Sequence, residues 1–178
     1  MLFEIKKNKS ITTKVRYPYK IYIDNKIVIP LPSQHKFKSE FVKHHGCSLV
    51  GFYMTVRFLG IKKSMKWCKK YMDENYGLQG KSKYPLRKIT LAINKIAKGS
   101  PASFEKSPSA ETIRKALKRG DIILFEEKNP IHTAVLLWDG EKTIRFSDGT
   151  YKKVTVNQEI KKRCCDDYYA GCVIIKKK

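Results

Sequence analysis

His44-His45-Gly46-Cys47-Ser48-Leu49-Val50-Gly51-Phe52-Tyr53-Met54 sets a cysteine between a glycine and a long apolar run. Continued to Leu59, the run adds Val56, Phe58 and Leu59, and Arg57 is its one charged residue. A segment apolar on nearly every side forms a helix that is buried all round. Gly60 stands just past the last apolar residue, where a glycine commonly ends a helix. The pattern predicts a central helix through Leu59 with Cys47 in its first turn. The amides of a first turn carry the positive end of the helix macrodipole, which favours thiolate over thiol. An ordinary cysteine, with a pKa of about 8.5, is only slightly ionised at neutral pH. Cys47 is therefore expected to titrate lower and to serve as a nucleophile. Cysteine is also a good small core residue, so chemistry is expected of Cys47 only if a base reaches it.

The second half of the chain offers that base. Asp121–Phe125, His132–Trp138, Lys142–Phe146 and Tyr151–Val156 read as successive strands, with Asp139-Gly140 and Asp148-Gly149 at two of the joints. Two antiparallel neighbours joined at Asp139-Gly140 bring their far ends together. His132 and Asp148, sixteen residues apart, stand at those ends. The hairpin thus predicts that the two side chains meet. Cys47, His132 and Asp148 would then supply nucleophile, base and orienter.

The first half reads as mostly helical. Ser64 is placed to cap a helix through about Tyr76, with Met65, Trp67, Cys68 and Met72 buried. Leu86 to Ala97 has helical spacing, Ala110 to Lys118 is a short helix stopped by Gly120, and Gly99, Pro101 and Pro108 predict a loop between them. Asn157 to Arg163 is expected as a short helix and Tyr168 to Lys176 as a last strand. Ahead of all this, Lys20–Ile23 and Lys26–Ile29 flank Asp24-Asn25, which predicts a hairpin with a two-residue turn, ended by Pro30 and Pro32. The layout is α+β. We expect one domain over 1–178: an N-terminal hairpin at about 11–31, a helical part at about 46–119 and a β-sheet part at about 121–176. The pattern leaves open whether the hairpin joins that sheet.

Charge and cysteine usage narrow the setting. The 178 residues carry 38 Lys+Arg against 16 Asp+Glu, a formal net charge of +22, and only seven of the cations are arginine. A lysine field of this size attracts polyanions without specificity, such as nucleic acid or an anionic surface; base readout leans on arginine forks instead. Five cysteines, an odd number without a C-x-x-C pair, fit neither a disulfide framework nor a zinc site. Cys164-Cys165 and Cys68 are read as packing or surface thiols. His35, His44 and His45 have no acidic residue nearer than Glu40 and make a poor ligand set, so no metal or cofactor is expected. Met1 to Arg16 hold no apolar run of signal-peptide length, and with the odd cysteine count this favours a reducing, cytoplasmic setting.

Two blocks resemble a known family. Cys47-Ser48-Leu49-Val50-Gly51-Phe52-Tyr53-Met54 closed by Gly60, and the stretch from His132 to Asp148, are similar to the corresponding blocks of the bacteriocin-processing, double-glycine-leader peptidases and their stand-alone relatives. The resemblance covers roughly 41–60 and 121–150. It implies a papain-like cysteine peptidase fold with Cys47 as nucleophile, His132 as general base and acid, and Asp148 as the group orienting His132. Three positions depart from the family pattern: Phe41 stands where a glutamine donates to the oxyanion, Ser48 where glycine is usual, and Gly149 where proline follows the aspartate. The function expected is hydrolysis of a peptide or isopeptide bond in a peptide or protein substrate. Transglutaminase-like acyl transfer on the same residues is the enzymatic alternative, and a basic binding protein without catalysis is the other. The Cys47 amide can donate once to an oxyanion. His44 or His45 is the favoured second donor, with Gln34 the third candidate.

Overall fold

The computed structural model describes residues 3–7, 19–23, 27–38, 40, 46–77, 83–128, 132–147, 149–163 and 170–177. The apolar run folds as helix α1, Cys47–Phe58, and of its residues only Arg57 is not buried. Gly51 lets this helix lie close on the sheet beneath it: a Cβ there would stand 3.2 Å from Leu124 Cδ2 and 3.3 Å from Thr133 Cγ2. Gly60, at φ +78°, turns the chain out of the helix as expected of it.

Beneath α1 lies an antiparallel six-stranded sheet. Its strands are β4 (Ala102–Glu105), β5 (Ile122–Glu127), β6 (His132–Trp138), β7 (Thr143–Ser147), β8 (Thr150–Val154) and β9 (Cys172–Ile175), in the order β4-β9-β5-β6-β7-β8. Alternation along the strands gives each face its own core. Leu124, Val135, Leu137, Ile144 and Phe146 pack with α1, while Ile123, Phe125, Leu136 and Ile174 pack with Ile113, Ala116 and Leu117 of the helix Ala110–Arg119. Strand β6 is buried on both faces, so its continuous apolar sequence fits a central strand.

The other helices follow their caps. Helix α2 (Met65–Tyr76) begins where Ser64 Oγ accepts the Trp67 N–H at 3.2 Å. Helix α3 is Leu86–Ile96. Helix α4 (Ala110–Arg119) begins at Ser109, whose Oγ accepts the Thr112 N–H at 3.0 Å, and ends at Gly120 with φ +90°. Thr155 and Gln158 form a reciprocal capping box at α5 (Val156–Lys161). That last helix is pinned to the sheet by charge: Arg145 of β7 reaches Glu127 of β5 and Glu159 of α5, and Lys162 Nζ donates to Glu159 at 2.6 Å. Among the described residues no helix is long and apolar enough to cross a membrane.

Two expectations need correction. The loop expected after Gly99 contains a strand, β4, paired with β9 from Ala102↔Ile175 to Glu105↔Cys172. Gly99 (φ +82°) turns the chain back, and the Asn94 side chain then holds Ala102 by two 2.9 Å hydrogen bonds, one to its N–H and one to its C=O. A free edge of β9 wins over the loop signal of glycine and proline. Nor does Pro30 end the N-terminal hairpin, because it lies within β3 (Ile27–Leu31), opposite Lys20 of β2 (Tyr19–Ile23). Among the described residues β3 is an edge strand, where a proline can face outward without costing a ladder bond. The turn at 24–26 lies outside the described residues. An unforeseen strand β1 (Phe3–Lys7) completes a separate three-stranded sheet, β1-β2-β3, which packs on α1 through β3.

Candidate active site

Three segments converge at the start of α1. Gly46 is the N-cap, with no side chain to offer, and Cys47 is the first helical residue, 7 % exposed. β6 delivers His132, its first residue, half-buried at the mouth of the strand. The short 3₁₀ turn Gln34–Lys36, reached directly from β3, delivers Gln34, 7 % exposed. Cys47, His132 and Gln34 line one pocket together with Thr133, Ser147 and Gly149, against apolar walls that include Val50, Met54 and Phe146. Its free volume is about 10 Å³, the room of one water-sized sphere.

The structure thus brings two of the three expected residues to one pocket. Asp148 lies outside the described residues, as do Phe41, His44, His45 and Cys164-Cys165. Both neighbours of Asp148, Ser147 and Gly149, are on the pocket wall. Ser147 was not foreseen: its Oγ stands 2.7 Å from His132 Nε2 and fixes one side of the imidazole. His35 is exposed on the 3₁₀ turn.

Gly149 explains how Gln34 gets there. Its φ is +74°, and a Cβ at this position would stand 2.7 Å from Ser33 Cβ and 2.8 Å from Ser33 Cα. Only glycine both adopts that backbone and lets Ser33 come so close. The segment before Gln34 is therefore seated on the β7–β8 turn, and Gln34 faces the thiol pocket. Of the three candidate donors to the oxyanion, Gln34 is the one that the described residues place in the pocket. The sequence separation between it and α1 does not keep it away, because β3 itself packs on α1.

The electrostatics of Cys47 differ from the expectation. Burial pushes the thiol above its ordinary value; the Lys83 ammonium pulls it down, the Glu126 carboxylate pushes it up, and hydrogen bonds from Thr133 pull it down. Desolvation of the charged form is the largest of these effects. The ordinary low-pKa thiolate is not built by the helix alone. Among the described residues His132 is the imidazole that lines the pocket with Cys47. Cys68 and Cys172 are pushed up to about 12, mainly by burial, and sit in the core.

Behind the pocket lies a charged pair that the sequence did not announce. Lys83 and Glu126 are 3 % and 1 % exposed and form an ion pair. Thr133, opposite Glu126 in the β5–β6 ladder, donates its hydroxyl to the same carboxylate. The next residue after Lys83 ties the pair to α1, since the Tyr84 N–H donates to Ser48 Oγ at 3.1 Å. Ser48 thus has a hydroxyl's work to do where glycine would have none. The one sequence signal was Glu126-Glu127 at the end of a wholly apolar strand, in a chain with few acids.

No protein-family model, no curated protein and no solved structure matches this chain.

Proposed function

We propose that this chain is a thiol hydrolase of papain-like arrangement that opens a peptide or isopeptide bond. One observation carries the reading: Cys47, first residue of α1, and His132, first residue of β6, line the same pocket. The Cys47 thiol gives its proton to His132, and the thiolate adds to the substrate carbonyl carbon. The resulting oxyanion accepts hydrogen bonds from the Cys47 N–H and the Gln34 side-chain amide. Collapse expels the amine, which takes the proton from His132 and leaves a thioester on Cys47. Water, deprotonated by His132, then attacks the thioester, releasing the acid and restoring the thiol. Asp148 holds the orienting role in this reading, beside the hydrogen bond already made between Ser147 and His132. A substrate has to part the walls of so small a pocket, and the segment of Leu31, Pro32 and Gln34 is the wall that belongs to neither α1 nor the large sheet. The lysine-rich surface supports a substrate that is acidic or held on a polyanion.

Mass spectrometry of products from a peptide library, with and without an added amine, tests this. A hydrolase yields a new carboxylic acid and a free amine, and Cys47→Ala abolishes both. Capture of the acyl group by the added amine would show transfer instead. Salt-dependent binding to nucleic acid without any turnover would favour the binding protein.

A further inference from the structure

The ion pair behind the thiol takes no part in the steps above, yet both of its members are buried, which is costly without a purpose for the charges. Its position is built from three directions. The Ser48–Tyr84 hydrogen bond fixes the Lys83 segment against the first turn of α1. The register Glu126↔Thr133 places the carboxylate next to a residue that lines the thiol pocket. The Thr133 hydroxyl and the Lys83 ammonium both donate to Glu126. The arrangement holds one buried ammonium and two groups that can be anions, the Glu126 carboxylate and the Cys47 sulfur. Among the described residues His132 is a further titratable group beside them, and it acts on Glu126 as a cation when protonated.

From this geometry we infer that Lys83 and Glu126 are positioning residues that set the charge balance of Cys47: Lys83 supplies the buried counter-charge on which the thiolate draws, and Glu126 holds Lys83 in place while competing for it. The inference rests on the thiol-hydrolase reading of Cys47. It has a sign. Removing the competing anion frees the field of Lys83 for the sulfur and makes ionisation easier. Removing the cation leaves the sulfur beside a carboxylate and makes ionisation harder. The directions found for Cys47 agree, since Lys83 pulls its titration down and Glu126 pushes it up. A purely structural pair would behave otherwise, because losing either partner would loosen the same contact and move both variants alike.

The test is the rate of Cys47 alkylation by iodoacetamide from pH 5 to 9, with the labelled residue identified by peptide mapping. Glu126→Gln keeps an acceptor for Lys83 Nζ and Thr133 Oγ1 and should move the profile to lower pH. Lys83→Met should move it to higher pH, and Lys83→Arg should leave it close to wild type. On the rising limb, a profile displaced by one pH unit changes the rate about tenfold at a fixed pH. If Lys83→Met does not fold, the double variant Lys83→Met/Glu126→Gln removes both charges and is compared with Glu126→Gln alone; it should label at least about threefold more slowly at pH 7. Displacements of the same sign in both single variants overturn the inference, as does an unchanged rate on adding Lys83→Met to Glu126→Gln. A wild-type Cys47 that does not label at all instead overturns the reading of the thiol, and this inference falls with it.

Discussion

Ser147 Oγ and His132 Nε2 stand 2.7 Å apart at adjoining ends of β7 and β6. The contact turns the imidazole without adding a charge, so it complements a carboxylate orienter. Ser147→Ala should lower turnover about three- to tenfold, the worth of one net hydrogen bond, with the far-UV circular dichroism unchanged. A turnover equal to wild type would remove Ser147 from the account.

Gln34 is half of the oxyanion site in this account, and its replacement should separate two chemistries. Gln34→Ala should cut turnover about a hundredfold to a thousandfold, the usual cost of one lost oxyanion donor. Iodoacetamide should still label Cys47 at its normal rate, because alkylation forms no oxyanion. Undiminished turnover in this variant would return the role to His44 or His45.

The dependence of Gln34 on Gly149 can be tested through stability. Alanine at 149 would have to adopt φ +74° with its Cβ 2.7 Å from that of Ser33. The backbone strain alone is about 1–3 kcal/mol, and the Ser33 segment must also move. Urea denaturation of Gly149→Ala should show a loss of at least that size, together with the Gln34→Ala phenotype in turnover. A variant as stable as wild type would show that the β7–β8 turn does not seat this segment.

Much of this geometry was legible in the sequence, and the part that was not has a physical reason. The helix through Cys47, the strand opened by His132 and the turns at Gly60 and Gly120 follow from periodicity and from glycine chemistry, both of which are local. Strand β4 exists because a non-neighbouring strand, β9, offers it an edge, and Gln34 faces the pocket because Gly149, more than a hundred residues on, gives it a seat. Lys83 in a lysine-rich chain looks like one more surface charge; its burial comes from Glu126 and from the tie between Tyr84 and Ser48. The titration of Cys47 departs from expectation for a related reason: the helix start is a local feature, whereas the burial that raises the thiol is made by residues of both sheets.

The other buried thiols predict how stability depends on pH. Burial holds Cys68 and Cys172 at about 12 in the folded chain, well above their ordinary value. Protonated thiols are thus favoured by folding, so this stabilisation is fully present below about pH 9. It is lost as pH rises from there towards 12, at about 1.4 kcal/mol per pH unit for each thiol. In urea titrations Cys172→Ala should flatten the alkaline slope by about one such increment. An unchanged slope would mean that Cys172 is not held protonated by the fold.

The pairing of Cys47 with His132 is tested most directly by the pH profile of Cys47 alkylation in wild type and in His132→Ala. The buried thiol on its own titrates above its ordinary value, whereas a thiolate paired with an imidazolium reacts at far lower pH. Wild type should therefore label Cys47 before Cys68 and Cys172, with a limb of reactivity extending below about pH 7. In His132→Ala that limb should vanish and leave a single rise above pH 8.5 or so. Identical profiles in the two proteins, or a Cys47 that stays inert in the native wild type, would contradict the account.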